Sequence, residues 1–365
     1  MIGKGSRELI LVKNIAPAPS AMQGDGYYNR NSRLQAANLA SALPLLQEAA
    51  DLLALKQPAA VTFVDYGSSQ GRNSMLPLSV AIGALRNRQK QTCPVEVFHV
   101  DLPDNDFNSL FAALDNPAES YLTSLTHVFP AAIGKSYFEQ VLPPDRVDIG
   151  WSSNALHWLR GSPVHVSDHG WAIFSEMAGA AAAVDRQLAS DWREFLIARA
   201  AELRDGGVVV CQFMGRGEHT HGFEWMAGCW WQAIVDVHRE GLITDEDMLH
   251  MTCPSAGRSA AQIELPFATG PFHGLLLDQL AVVASPDPFW EAYLRSGDVM
   301  EFARSWSTTM RAANGPSFTA GLSPEKDRDH ILDMITQRHA ARVAADPQPS
   351  ISWLAIAVIK KPDVS

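Results

Sequence analysis

The sequence predicts an α/β fold: a Rossmann-like, mostly parallel β-sheet with an α-helical cap. Two patterns predict it. Strand-like and helical segments alternate as far as residue 222, and each strand-like segment is a near-continuous apolar run. Such runs are typical of parallel strands that helices cover on both faces. With 365 residues, of which 47% are hydrophobic, the chain is long enough to bury a sizeable core.

The predicted elements follow one another in a regular order. A helical pattern over about 32–55 repeats leucine at three- to five-residue steps, with a kink predicted at Pro44. Apolar runs then predict strands at AAVTFVDYG (59–67), VEVFHVD (95–101), SLTHVFPA (124–131), VDIGW (147–151) and GGVVVCQFMG (206–215). Helices are predicted between them at about 73–88, at DFNSLFAAL (106–114) and at about 179–203.

Beyond residue 222 the alternation loosens. Helical patterns at about 223–241, 289–313 and 324–345 are interrupted by strand-like AAQIELP (260–266), LLLDQLAVV (275–283) and ISWLAIAVIKK (351–361). We interpret these strands as the far edge of the same sheet and the extra helices as a cap. The chain 1–365 is thus predicted to be one unit, with a core at roughly 58–160, 205–222, 260–285 and 350–362 and a cap at roughly 20–57, 161–204, 223–259 and 286–349.

The charge balance excludes some partners. The formal charge is −11, with 40 acidic and 29 basic residues, whereas a nucleic-acid binder shows a basic patch or stripe. No 18-residue apolar run is present, and the N-terminal MIGKGSRELILVKN holds an apolar run too short for a secretory signal. We therefore expect neither nucleic acid nor a membrane as a partner.

The four cysteines lie far apart without C-x-x-C spacing, which favours free thiols and a cytoplasmic location. The closest histidine pair, His219 and His221, has neither a helical His-x-x-x-His spacing nor neighbouring cysteines. We expect no metal site.

A glycine-containing loop carries the first chemical signal. In VDYGSSQGRN, Asp65 ends a strand and Gly67 and Gly71 follow, while Asp101 ends the next strand. The G-x-x-x-G spacing does not match the G-x-G-x-x-G of nicotinamide cofactor sites, which disfavours an NAD-dependent oxidoreductase. An acid before the loop suits a ligand with an ammonium group and ribose hydroxyls, as in S-adenosylmethionine. Taken singly, each aspartate is equally well a helix cap or a turn residue.

The segment SSNALHWL (152–159) places hydroxyls, an imidazole and an indole directly after a predicted strand. In open α/β sheets, ligands bind outside the carboxyl ends of the strands. Without further context Trp158 is more often a core residue, and His157 a core or surface residue.

Several segments together resemble the SABATH methyltransferases. YYNRNSRLQ, VDYGSSQGRN, VDLPDNDFNSLF, GKSYFEQVLPPDRVD, SSNALHWL, MGRG, EGLITDEDM and AIAVIKK match the family's motifs in the family's order over nearly the whole chain. The family transfers a methyl group from S-adenosylmethionine to carboxylic acids such as salicylate, benzoate, jasmonate and indole acetate, or to ring nitrogens of xanthines. The resemblance implies a homodimer that needs no metal, although Mg²⁺ occurs in some relatives.

The resemblance also implies roles for individual residues. The cofactor would be held by Ser32, Tyr28, Asp65, Gly67, Asn73, Asp101, Leu102, Ser136 and Tyr137. The substrate would be held by Gln35, Asn154, His157, Trp158 and Trp225, with Gln35, His157 and Trp158 as catalytic residues against the carboxylate. Departures from the family pattern at Tyr27 and at QGDG (23–26) fall on the substrate side, so the acid is not identified. Those in the glycine loop, at Ser68, Gln70 and Arg72, keep both glycines and Asn73 and matter less.

The chemistry agrees with this assignment. A carboxylic acid is ionised at neutral pH, so its methylation needs no general base, only one oxygen aligned with the sulfonium methyl. Neutral donors such as the Gln35 amide and the Trp158 indole N–H would orient it without draining its nucleophilicity as a salt bridge would. Two alternatives stay open. One is N-methylation of a xanthine-like heterocycle with His157 as proton acceptor, and the other is a non-catalytic S-adenosylmethionine-binding protein. Trp225, within the aromatic FEWMAGCWW, is as well a core residue as a substrate contact.

Overall fold

A computed structural model describes residues 10–11, 20–53, 60–88 and 93–363. The strands are β1 (Ile10–Leu11), β2 (Val61–Tyr66), β3 (Val95–Asp101), β4 (Val128–Gly134), β5 (Val147–Ser153), β6 (Val164–His165), β7 (Leu203–Gly215), β8 (Leu276–Ala284) and β9 (Trp353–Lys360). The α-helices are α1 (Tyr27–Asn31), α2 (Arg33–Asn38), α3 (Leu43–Leu52), α4 (Arg72–Arg88), α5 (Phe107–Leu114), α6 (Ala180–Glu202), α7 (Glu224–Arg239), α8 (Asp245–His250), α9 (Ala260–Glu264), α10 (Pro288–Ser296), α11 (Val299–Ala320) and α12 (Arg328–Ala345). Short 3₁₀ turns lie at Leu39–Ser41, Tyr121–Thr123, Ala172–Phe174 and Leu265–Phe267.

Seven strands form one sheet in the order β4-β3-β2-β5-β7-β9-β8. The five strands from β4 to β7 pair in parallel, whereas β9 pairs antiparallel with both β7 and β8. The mostly parallel α/β sheet is confirmed, and β8 and β9 form its far edge as predicted. In a separate two-stranded sheet, β1 pairs with β6.

Among the described residues, three large apolar clusters and a fourth, small one around Val164 and Ala180 hold the fold together. One lies between the sheet and α3, α4 and α5 and includes Phe63, Leu78 and Trp151. A second lies on the opposite face, where Trp192 and Phe195 of α6 pack with strand residues. The third is the interior of the cap, built largely from α7, α11 and α12. The sheet is therefore covered on both faces, which explains its near-continuous apolar strands.

Two helices that the predicted division assigns to the cap pack on the sheet instead. Leu46 and Ala50 of α3 lie in the first cluster and α6 lies in the second, because their apolar stripes match the two sheet faces. The other boundaries of that division stay a prediction.

Other elements differ in detail from the prediction. AAQIELP is not a strand: Ser259 and Gln262 form a capping box that starts α9, and a 3₁₀ turn follows. The pattern over 32–55 breaks into α2, a 3₁₀ turn and α3, with Pro44 in the first turn of α3. The pattern over 289–313 is two helices, because Gly297 caps α10 in a left-handed conformation.

Some predictions fall on other parts of the chain. Positions 54–55 of the first helical pattern, residues 58–59 of the predicted core and most of the N-terminal MIGKGSRELILVKN lie outside the described residues. Within the described ranges, no helix is both long and apolar enough to span a bilayer.

The strand order reverses between β2 and β5. The chain passes from β2 outward to β3 and β4 on one side, and from β5 to β7 on the other. At such a reversal the connections leave in opposite directions and open a crevice at the carboxyl ends of the strands. Asp65, Asp101 and Asn154 lie at these ends.

Candidate active site

A cavity of about 280 Å³ lies in this crevice. Six of the predicted cofactor residues line it: Tyr28, Gly67, Asp101, Leu102, Ser136 and Tyr137. The rings of Tyr137 and Phe138 lie 4.7 Å apart, and the Tyr137 hydroxyl donates to the backbone oxygen of Ala155 at 2.9 Å. The cavity thus combines a fixed aromatic wall with a carboxylate, as a nucleoside ligand requires.

A small cleft adjoins this cavity and is lined by Asp65, Gly67 and Asn73. Gly67 has a φ of +90°, and a Cβ there would lie 2.3 Å from the Cβ of Ala155. Only glycine allows the chain to pass so close at this point. Ser32 lines neither space; its hydroxyl accepts a hydrogen bond from the Asn73 amide at 3.0 Å and so orients Asn73.

Asp101 is held by backbone groups. Its Oδ2 accepts from the Ser69 N–H at 2.6 Å and its Oδ1 from the Leu102 N–H at 2.8 Å. Burial raises the pKa of Asp101 to about 6, with a smaller contribution from the charge of Asp65, although both backbone donors act in the opposite direction. Asp101 is therefore ionised at neutral pH and can accept ligand hydroxyls.

A second cavity, of about 100 Å³, lies beside the first. The two share Met22, Tyr28, Asn154 and Trp158 as a common wall. Gln35 and His157 also line the second cavity, and aromatic side chains from several elements close it: Trp171, Phe174, Phe223 and Trp353. No Lys, Arg, Asp or Glu is among its described lining residues.

Polar groups that the protein itself does not use face this second cavity. Among the described residues, the Trp158 indole N–H has no acceptor. The Gln35 side-chain oxygen is buried without a partner, and its side-chain NH2 group donates to no described residue. Because unpaired buried polar groups are costly, these groups are suited to a polar ligand.

His157 is a neutral side chain. Its Nδ1 accepts from the Met214 N–H at 3.4 Å, which leaves the proton on Nε2. Burial, helped by the nearby charge of Arg258, lowers the pKa of His157 to about 3. The imidazole is therefore a hydrogen-bond donor through Nε2 and a very weak base.

Asn154 connects the end of β5 to α2 through hydrogen bonds. It has a φ of +54° directly after β5, and its amide donates to Ser153 Oγ at 3.0 Å. Asn38 in turn donates to Asn154 Oδ1 at 3.4 Å. Asn154 thus belongs to a hydrogen-bonded network in the common wall.

Of the predicted substrate residues, Gln35, Asn154, His157 and Trp158 meet in one cavity, whereas Trp225 does not line it. Trp225 is half-buried against the cap interior, beside the buried Met226 and Trp230. A helical pattern shows which residues share a face but not what that face contacts, so the sequence could not decide this position.

Sequence reasoning missed several lining residues. Ser69, Phe138 and Arg160 line the first cavity, and Trp171, Phe174, His221 and Trp353 line the second. Most lie in loops that only the tertiary fold brings together. His221 was noticed only as half of a histidine pair. Within the described part of the chain, no group of three or more His, Cys, Asp or Glu is placed to hold a metal ion.

Comparisons with known proteins agree with this geometry. A family model described as SAM dependent carboxyl methyltransferase matches residues 19–358. Indole-3-acetate O-methyltransferase 1 of Oryza sativa subsp. japonica is 26% identical over 357 residues, which cover 88% of this chain and 87% of that protein. Indole-3-acetate O-methyltransferase 1 of Arabidopsis thaliana is 29% identical over 331 residues, 83% of this chain and 84% of the other. The structure of a loganic acid methyltransferase with SAH is similar in fold, with a TM-score of 0.77 at 21% identity, covering 94% of this chain and 99% of that chain.

Proposed function

The chain belongs to the S-adenosylmethionine-dependent carboxyl methyltransferases, the SABATH family, and we propose that it forms the methyl ester of a small aromatic or apolar monocarboxylic acid. The observation that carries the proposal is the pair of cavities with a common wall. One cavity has the Asp101 carboxylate and aromatic rings for a nucleoside, and the other has neutral hydrogen-bond donors and no charged lining residue among those described.

The residues of the first cavity fit S-adenosylmethionine. Asp101 accepts the ribose hydroxyls, Tyr137 and Ser136 border the adenine, and Asp65 and Asn73 take the amino-acid end in the adjoining cleft. When bound, S-adenosylmethionine supplies a methyl group activated by its positively charged sulfur. Tyr28 and Tyr137 present aromatic faces that attract such a cation.

In the second cavity, here named the acid cavity, hydrogen-bond donors orient the substrate acid. The first cavity is named the cofactor cavity. The Trp158 indole N–H, the Gln35 amide and the His157 Nε2–H hold one carboxylate oxygen and leave the other directed at the common wall. No residue has to remove a proton, because the acid is already ionised at neutral pH. The aromatic residues exclude water, and the rate arises from alignment at about 3 Å between the reacting atoms.

N-methylation of a xanthine-like heterocycle is not favoured. A ring N–H must lose its proton to an acceptor, and His157, with a pKa of about 3 and its Nδ1 already hydrogen-bonded, is a poor one. The described lining residues offer no carboxylate in its place.

Indole-3-acetate is the first acid to test. Two relatives similar over more than four-fifths of this chain carry this substrate in their names. The aromatic walls, Trp171, Phe174, Phe223 and Trp353, offer stacking surfaces for a planar ring.

The proposal includes the conditions of the reaction. All four cysteines are free, which fits a reducing cytoplasm. The family resemblance supports a homodimer and a reaction that needs no metal. Analytical ultracentrifugation tests the dimer, and EDTA should leave the rate unchanged.

Methyl transfer from labelled S-adenosylmethionine tests the proposed reaction. The panel contains indole-3-acetate, benzoate, salicylate, jasmonate, farnesoate and xanthines. Methyl ester as the labelled product supports the proposal. Label found in N-methyl groups alone would favour the heterocycle reaction, and cofactor binding without any transfer would favour a non-catalytic protein.

A further inference from the structure

Arg258 is a buried cation without a carboxylate partner among the described residues. Its side chain is 1% exposed. The guanidinium donates to backbone oxygens, those of Leu188 at 3.1 Å and of Leu156 at a shorter distance. Backbone carbonyls satisfy its hydrogen bonds but do not neutralise its charge. The Trp192 and Phe213 rings lie 5.9 and 5.7 Å from the guanidinium carbon and stabilise the cation, but they do not neutralise it either. A buried charge without a salt-bridge partner is costly to a fold and is therefore a candidate for a function.

The nearest acidic group is occupied elsewhere. Asp191 raises the pKa of Arg258 at longer range, yet its carboxylate is bound by Arg160, whose Nε donates at 2.6 Å and whose backbone N–H donates at 3.0 Å. Burial lowers the pKa of Arg258 only to about 10, so the side chain stays charged at neutral pH.

The backbone fixes Arg258 directly behind the acid cavity. Residues 255–257 line that cavity, and the next residue along the chain is Arg258. Its N–H donates to the Met214 oxygen at 3.2 Å, and its oxygen accepts from the Arg216 N–H at 3.0 Å. A Cβ at Gly257 would lie 2.2 Å from the oxygen of Gly215, so only glycine allows this close pairing.

The charge of Arg258 reaches both cavities. It adds to burial in lowering the pKa of His157 in the acid cavity, and in the cofactor cavity it opposes burial and the Asp101 charge, which together raise the pKa of Tyr137. The guanidinium itself lines neither cavity, and its donors are directed at the Leu156 and Leu188 carbonyls.

We propose that Arg258 selects an anionic substrate without touching it. Its buried charge attracts a carboxylate through the neutral wall of the acid cavity, while the direct contacts are left to uncharged donors. This inference rests on the proposed carboxyl methyl transfer and extends it to a residue outside the cavity lining.

The arrangement separates attraction from contact. A direct Arg–carboxylate pair is bidentate and strong, and it occupies the lone pairs that must attack the methyl group. A cation held one layer back contributes Coulomb attraction but leaves those lone pairs free. The same charge repels the sulfonium of S-adenosylmethionine, and both reacting charges disappear during transfer. The attraction of the acid and the repulsion of the sulfonium diminish together during transfer and offset each other in the activation barrier, so the effect of Arg258 falls on KM and not on kcat.

Ligand pairs of similar shape that differ in charge provide the test, and comparison of each pair between variants cancels their other differences. Affinities are measured on the whole protein for indole-3-acetate and its uncharged amide, indole-3-acetamide, with S-adenosylhomocysteine present. Affinities for S-adenosylmethionine and the uncharged-sulfur S-adenosylhomocysteine are measured alone. The variants are Arg258→Met, the charge-conserving Arg258→Lys, and Arg342→Met, which removes a cation paired with Asp236 away from both cavity linings.

In Arg258→Met, we expect the acid-to-amide affinity ratio to fall on the order of tenfold. The ratio of S-adenosylmethionine to S-adenosylhomocysteine affinity should rise at the same time. Arg258→Lys should restore both ratios, and Arg342→Met should change neither. A purely structural role would weaken all four ligands together, and that result, or unchanged ratios in a folded Arg258→Met protein, overturns the inference.

The binding measurements also separate the two proposals. Absence of methyl transfer to any acid would count against the proposed function, whereas the charge ratios report on Arg258 whether or not transfer occurs. If Arg258→Met does not fold, Arg258→Gln replaces it. A lower acid-to-amide affinity ratio and a higher S-adenosylmethionine-to-S-adenosylhomocysteine affinity ratio in Arg258→Gln, with both ratios retained in Arg258→Lys, support the inference. Equal ratios in these two variants overturn it.

Discussion

His99 Nδ1 lies 3.2 Å from Oδ2 of Asp65, inside the sheet between β3 and β2. On its other side, His99 Nε2 lies 3.0 Å from the hydroxyl of Tyr121. All three side chains are buried. If the Tyr121 hydroxyl donates to Nε2, the proton of His99 is on Nδ1 and is donated to Asp65. The imidazole then fixes the carboxylate that lines the small cleft beside the cofactor cavity.

His99→Leu is expected to weaken S-adenosylhomocysteine binding by roughly tenfold, because a hydrogen bond to a charged group contributes about 1.5–3 kcal/mol. Calorimetric titration measures the dissociation constant. Tyr121→Phe, which removes only the outer hydroxyl, should have a smaller effect. An unchanged affinity in a His99→Leu protein with a lowered Tm would show that His99 supports the fold and not Asp65.

Trp158→Phe is expected to lower kcat/KM for the acid by a factor that corresponds to ~1.5–3 kcal/mol of lost transition-state stabilisation, because one hydrogen-bond donor to the carboxylate is removed. The affinity for S-adenosylhomocysteine should be retained. Steady-state kinetics with the best acid of the panel measures it. The matched control is Trp353→Phe, because that indole lines the same cavity but donates to Thr220 Oγ1 at 3.0 Å. Equal losses in both variants would mean that the indoles act by shape alone.

Cofactor affinity should fall as the pH drops through about 6. Burial raises the pKa of Asp101 to about 6, and the proposed contact with the ribose hydroxyls needs its ionised form as acceptor. The dissociation constant for S-adenosylhomocysteine should be roughly tenfold higher at pH 5 than at pH 7.

The free energy of unfolding of the unliganded protein should change in the opposite direction from the cofactor affinity and rise as the pH falls. A carboxyl with a raised pKa holds its proton more tightly in the folded state, so protonation of Asp101 stabilises the unliganded fold as the pH falls from 6 toward 4. Asp101→Asn should bind the ligand weakly at every pH. If the dissociation constant for S-adenosylhomocysteine still depends steeply on pH in Asp101→Asn, the titrating group is another residue.

Gly67→Ala is expected to lower the Tm and abolish cofactor binding, because φ is +90° and the new Cβ would meet Ala155 at 2.3 Å. Gly83→Ala is the matched control: it lies in α4, and its Cβ would meet nothing within 4 Å. That substitution should be neutral or stabilising by about 0.5–1 kcal/mol. Thermal melting with and without S-adenosylhomocysteine distinguishes the two. Full binding by Gly67→Ala would show that the loop relaxes around the added methyl group.

The sequence predicts the sheet well because its signals are local. Apolar runs such as 61–66 and 95–101 reflect burial on both faces, and the acids that follow them mark the strand ends. Where local signals compete, the prediction is wrong. AAQIELP has a strand-like composition, but a capping box between Ser259 and Gln262 starts a helix there.

Site residues divide in the same way. Asp65 and Asp101 lie at strand ends within recognisable motifs, so their placement follows from the sequence. Arg258 and His99 carry no such signal, since a lone arginine after glycine and a histidine within a strand are ordinary. Their significance depends on distances across the fold, to Leu156 in one case and to Asp65 in the other.

The common wall of the two cavities has a consequence for redesign. The aromatic residues that close the acid cavity, Trp171, Phe174, Phe223 and Trp353, do not line the cofactor cavity, whereas Tyr28, Asn154 and Trp158 line both. A combinatorial library confined to the first group would diversify the accepted acids while the methyl-donor site stays constant. Residues of the second group also border the methyl-donor site, so mutations selected for new substrates should accumulate in the first group.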